Sequence, residues 1–142
     1  MPQNPAPWAA PLGRLLLALI FILSAVGKLN DWQGTAKMMA DRGLPAVDVL
    51  LSTAVGLELV GGLLVVLGLY ARWGAIALLM FIVPVTLIMH NFWAAAEAER
   101  MMQFIGFMKN VSIIGGLLLV LSLGAGPWSI DAIRLRPRPT PL

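Results

Sequence analysis

Four apolar stretches, each close to twenty residues long and nearly free of charge, constrain this chain more than any other feature. They cover about 12–29, 47–69, 73–92 and 102–123. A helix needs roughly 20 apolar residues to cross the hydrocarbon core of a bilayer. Lipid offers no partners to backbone N–H and C=O groups, so a crossing segment must satisfy them within its own helix. The expected fold is all-α: an integral membrane four-helix bundle, with a short interfacial helix between spans 1 and 2. Charged residues make up only 12% of the 142, against roughly 25% in a soluble domain. Four helices and their connections use nearly the whole chain, which leaves no room for a second domain.

Punctuation residues divide the chain. Residues 1–11 hold Pro2, Pro5, Pro7 and Pro11 and read as an irregular segment. The first span is also open to reading as a cleaved signal peptide, with Ala25-Val26-Gly27 as a small-residue site. Its apolar run is long for that role and Lys28 follows the site directly. In the polar stretch 30–45, Asp31 is placed to cap a helix, and Gly43 to end it in a left-handed turn before Pro45. Trp32, Ala36 and Met39 would share one face of that helix and let it lie flat at the membrane surface. Tyr70-Ala71-Arg72 reads as a tight turn. Pro84 is expected to kink the third span. Residues 93–101, with Glu97, Glu99 and Arg100, read as a loop, and Gly124-Ala-Gly-Pro127 stops the fourth span. The remainder, 124–142, is a Pro/Arg-rich tail, expected to be extended from Ile133 onward. Its Arg134, Arg136 and Arg138 are candidates to hold anionic lipid headgroups.

Composition closes off several function classes. The net charge of +3 is not gathered into a basic run, and the five Trp sit near span ends as interfacial anchors do. Nucleic acid is therefore not a partner; membrane lipids are. With no Cys there is no disulfide or thiolate metal site. A single His gives no zinc or haem set, and eight Met without Cys make a poor copper site. No metal and no intrinsic cofactor is expected. Gly61-Gly62 and Gly115-Gly116 lie inside apolar runs, where they serve packing and not phosphate binding.

Ionisable groups in a span are unfavourable, so they face the bundle interior and find partners. Glu58, Lys109 and Asn110 lie within spans, and Lys28 and His90 lie near span ends. At a rise of about 1.5 Å per residue, Glu58 is roughly 16 Å and Lys109 roughly 10 Å from the side that carries loops 30–46 and 93–101. All five therefore fall in one half of the bilayer. That half is polar-lined, and the half toward the termini is apolar. A Lys stem spans the offset, so Lys109 is the expected partner of Glu58. Two readings of that pair stand: a structural fix of helix register, or a ligand or proton site. Lys28 either snorkels to the surface or joins the cluster, and His90 either bonds a loop or meets a ligand.

These residues sit in segments that resemble the DoxX family of small four-helix membrane proteins. The matching pieces are Ser24-Ala-Val-Gly-Lys-Leu29, Gly56-Leu-Glu-Leu-Val-Gly-Gly62, His90-Asn-Phe92 and Lys109-Asn-Val-Ser-Ile-Ile-Gly-Gly116, over roughly residues 12–125. The resemblance implies that Lys28, Glu58, His90, Lys109 and Asn110 form the family's polar signature. One branch is similar to the membrane subunit of thiosulfate:quinone oxidoreductase, and other members are associated with redox-stress complexes. The loop 93–101 and the Arg-rich tail look particular to this chain.

Three functions follow as expectations. The first is a redox-associated subunit that binds a quinone-like or lipid molecule at the Glu/Lys/His/Asn cluster. Such a chain is at most a membrane subunit of a quinone-linked oxidoreductase, with quinone as its one candidate cofactor. The second is a non-catalytic structural or assembly subunit of a larger membrane complex. The third is a small-molecule or ion transporter acting as an oligomer. A homo-oligomer or larger membrane complex is expected in each case. The location is the inner (plasma) membrane, multi-pass. Lys and Arg divide five to each side, and with Lys109 discounted as lying within a span, both termini are placed in the cytoplasm.

Overall fold

The computed structural model describes residues 6–135. Helix α1 is Ala9–Asn30, α2 Trp32–Asp41, α3 Val47–Leu67, α4 Ala71–Met89, α5 Glu97–Leu123 and α6 Ile130–Arg134, with a 3-10 turn at Phe92–Ala94. No strand occurs among the described residues. Four helices, α1, α3, α5 and the segment containing α4, are long and apolar enough to cross a membrane. Their outward side chains include Leu16, Leu19, Leu23, Val60, Leu63, Met80 and Leu119, all exposed in the isolated chain. A soluble protein does not leave such a continuous apolar jacket in water. The chain is a membrane protein with an all-α fold.

Local chemistry sets the helix ends. Asp31 accepts from the Gly34 backbone N–H at 3.0 Å and caps α2, and Gly43 takes φ 75° beyond its end. Trp32, Ala36 and Met39 pack together on Ala25, Leu51 and Val55, so α2 lies against α1 and α3 by the face read from its sequence. Gly68 closes α3 in the left-handed conformation, with φ 62°, and Tyr70 follows with φ 47° to start α4. Pro84 lies inside α4, whose helix continues to Met89.

Two segments differ from expectation. Much of 93–101 is not loop: α5 begins at Glu97, five residues before the apolar run. Glu97 and Glu99 in its first turn complement the positive end of the helix dipole. Ile133 and Arg134 belong to a short helix and not to an extended tail, because the Ser129 hydroxyl accepts from Ala132 N–H and caps α6.

The spans pack in the order α1, α3, α4, α5, each against the next, while α1 and α5 barely touch. Small residues let α3 and α4 come close. A Cβ built on Gly61 would stand 3.0 Å from the Gly74 carbonyl oxygen, and one on Gly74 would stand 2.9 Å from that of Gly61. Phe21 and Phe81 meet edge to face with centroids 6.2 Å apart and join α1 to α4. Of α5 only Asn110 and Leu117 are buried. The bundle is therefore an open row of helices with one unclosed seam.

Candidate functional site

Glu58 sits at the middle of α3 with its side chain 0% exposed. Its partner is Lys28 of α1: Nζ lies 3.0 Å from Oε1 and 2.9 Å from Oε2, and also donates to Ser24 Oγ at 2.6 Å. The ammonium lies 5.1 Å from the centroid of the Phe81 ring. The expected Glu58–Lys109 pair is not formed. Depth along the membrane allowed it, but α3 packs against α1 and α4, while α5 packs on the far side of α4. Lys28 does not snorkel. It ends on a buried carboxylate with its side chain only 19% exposed.

The other three polar residues approach from the opposite side. His90 follows α4, and its Nδ1 lies 3.1 Å from Gln103 Oε1 of α5. Its ring fills the space a side chain at Gly106 would need, since a Cβ there would come within 2.6 Å of Nδ1. Asn110 is 7% exposed, and its side chain makes no hydrogen bond among the described residues. Lys109 is exposed in the isolated chain and has no ion pair or side-chain hydrogen bond there.

All five residues line one cavity of about 320 Å³. Phe21, Ala54, Phe81, Ile82, Val85 and Ile113 give it apolar walls, and Thr35, Met38 and Met39 of α2 cover its surface end. The carboxylate is taken by Lys28. What the cavity still offers is donors: the Lys109 ammonium, the Asn110 amide and one His90 ring nitrogen, depending on tautomer. Such a set suits a ligand with acceptor oxygens on an apolar frame. Among the described residues, no three His, Cys, Asp or Glu side chains gather as a metal site requires.

A second polar cluster, which the sequence reading did not find, lies at the other membrane face. Arg14 is 4% exposed. Its guanidinium donates to the carbonyl of Ala125, to that of Pro127 at 3.4 Å and to that of Trp128 at 2.8 Å. Asp131 accepts from the Tyr70 and Ala71 N–H groups at 2.8 and 3.0 Å, and so caps α4 from a distant part of the chain. The half toward the termini is thus not wholly apolar. The available signal was Arg14 itself, a charge inside the first apolar run. Arg134 stacks on the Tyr70 ring at 4.4 Å and donates to its hydroxyl at 2.7 Å. Arg136 and Arg138 lie outside the described residues.

The chain is similar to known proteins over most of its length. The DoxX family model matches residues 9–91, more than half of the chain. The inner membrane protein YphA of Escherichia coli is 32% identical over 120 residues, 84% of this chain and 86% of that protein. The inner membrane protein YqjF of Escherichia coli is 31% identical over 122 residues, 86% of this chain and 88% of that protein. The Surfeit locus protein 4 homolog of Drosophila melanogaster is 29% identical over 121 residues, 84% of this chain but 38% of that longer protein. No solved structure matches. The matched region runs from α1 through α4 and contains Lys28, Glu58 and His90, and the chain belongs to the DoxX family.

Proposed function

We propose that this DoxX-family protein is a redox-associated membrane subunit that holds a quinone-like or lipid molecule in the cavity beside Lys28 and Glu58. One observation carries the reading: donors without protein partners, at Lys109 and Asn110, converge on an apolar cavity. Its volume of about 320 Å³ is at the small end of the roughly 300–1,000 Å³ range of ligand sites. It suits a ring-sized head better than a whole lipid. Quinone oxygens accept hydrogen bonds, and Lys109, Asn110 and His90 can supply them. Electrons would come from a partner, so the chain serves as a subunit of a larger assembly. The inner-membrane names of both Escherichia coli relatives support an inner-membrane location. We place both termini in the cytoplasm.

The test is binding of a neutral short-tailed benzoquinone to the purified protein in lipid nanodiscs, by equilibrium dialysis. Saturable binding that weakens about tenfold in Asn110→Leu supports the reading. Absence of saturable binding removes the quinone-like ligand from the reading.

The Lys28–Glu58 pair favours a second reading, that the protein is a structural subunit whose pair sets the register of α1 on α3. Under that reading, Lys28→Met combined with Glu58→Leu leaves the activity of the assembly unchanged. Loss of activity with normal assembly removes it.

A further inference from the structure

Taking the cavity to be a ligand site, we infer that its ligand is a single-tailed acidic amphiphile. It enters sideways from the bilayer between α1 and α5, and its carboxylate is held by Lys109 and Asn110.

The route is the unclosed seam. Along it lies a hollow of about 560 Å³ lined by Leu16, Leu17, Ile20, Lys109, Ser112 and Ile113. Ile20, Lys109 and Ile113 also line the cavity, so these three side chains form the wall between hollow and cavity. Nearer the termini the same seam widens into a groove of about 590 Å³ past Gly13, Leu17, Gly116 and Leu119. Gly116 lets Leu17 of α1 pack directly onto α5, because a Cβ there would come within 3.0 Å of Leu17, whereas a Cβ on Gly13 would meet nothing within 4 Å. A lipid-soluble molecule that displaces the flexible Ile20, Lys109 and Ile113 side chains would reach the donors without crossing water, and its tail would lie along the seam.

The charge of the head follows from the acids that are already taken. Lys109 lies seven residues into the apolar part of α5, which begins at Met102, roughly 10 Å from the near membrane surface. An ammonium at that depth is unfavourable without a counter-ion. Glu58, the one acid buried in the bundle, is bound by Lys28. Glu97 and Glu99 are in the first turn of α5 and exposed. Asp31, Asp41 and Asp48 are exposed at the ends of α2 and α3. None of these meets Lys109 in an ion pair or hydrogen bond. A carboxylate supplies the missing charge, and its second oxygen accepts from the adjacent Asn110, a buried amide without a protein partner. A neutral head can accept a hydrogen bond from the ammonium but does not balance its charge.

The experiment uses the full chain in phosphatidylcholine nanodiscs and two photoreactive probes, a diazirine-bearing hexadecanoic acid and its methyl ester. Crosslinked peptides are mapped by mass spectrometry. The acid is expected to label the peptides of Leu17 and Gly116 and to be competed by unlabelled acid about tenfold better than by unlabelled ester. Lys109→Met should lower acid labelling to the ester's level, leave ester labelling unchanged and retain the wild-type melting temperature. Lys109→Arg should keep the preference. Equal labelling by acid and ester, or a preference that survives in Lys109→Met, overturns the inference, and saturable quinone binding would still stand apart from it. Acid preference without quinone binding supports the inference and removes the quinone alone. Label spread over all outer faces overturns it.

Discussion

Both carboxylate oxygens of Glu58 lie within 3.0 Å of the Lys28 ammonium, so one ion pair ties the end of α1 to the middle of α3. The contact is intramembrane, and Ser24 and Phe81 complete the surroundings of the ammonium. A buried pair is weak evidence for stability, since desolvation offsets attraction, but breaking it strands a charge.

Glu58→Gln should therefore lower unfolding stability by about 3 kcal/mol or more. Lys28→Met added to Glu58→Leu should recover much of what either single change loses. Reversible unfolding in mixed micelles of rising SDS fraction measures all three. A double variant as unstable as the singles would contradict this account.

Arg14 makes the corresponding link at the other face. Replacing it with Met removes the donors held by the carbonyls of Pro127 and Trp128. With hydrogen bonds to charged groups worth about 1.5–3 kcal/mol each, the loss should be about 3 kcal/mol. Lys at this position has one ammonium in place of a fork and should rescue only part. Proteolysis should show the change first in the segment 124–135, as faster cleavage with the spans intact.

Gly74→Ala places a methyl group 2.9 Å from the Gly61 carbonyl oxygen, where backbone cannot yield cheaply. A loss of about 2 kcal/mol is expected, the usual cost of overpacking. Gly115→Ala is the control. Nothing lies within 4 Å of its added Cβ, and Ala is the better helix former by about 1 kcal/mol. The two variants should shift the melting temperature in opposite directions.

Asp131→Ala removes the acceptor for two N–H groups at the start of α4. The expected cost is about 1 kcal/mol, that of a lost helix cap. Amide hydrogen exchange should quicken at Tyr70 and Ala71 and remain unchanged at Leu78 in the core.

The four spans and the α2 cap were readable because each rests on a local pattern: apolar length, Asp31 before a helix, Gly43 after it. The five polar residues were found because polarity inside an apolar run is conspicuous, and depth placed them in one half of the bilayer. Their pairing was not readable. Depth favoured Lys109 as the partner of Glu58 and put Lys28 nearer the surface, whereas the order of helices around the bundle brings Lys28 to the carboxylate. The Arg14 and Asp131 contacts were hidden for a different reason. Their partners are backbone groups 114 and 60 or 61 residues away, and backbone groups carry no sequence signature. The early start of α5 was missed because Glu97 and Glu99 were read for their polarity, when their position made them favourable first-turn residues.

The Arg14 contact also orders events in time. The first span leaves the ribosome carrying a guanidinium whose acceptors, the carbonyls from Ala125 to Trp128, are made more than a hundred residues later. Until then Arg14 can be solvated only by water or lipid headgroups near the membrane surface. Full satisfaction of the first span's one buried cation therefore waits on the last part of the bundle to be made, so a chain cut short before 125 would leave that charge without its protein acceptors.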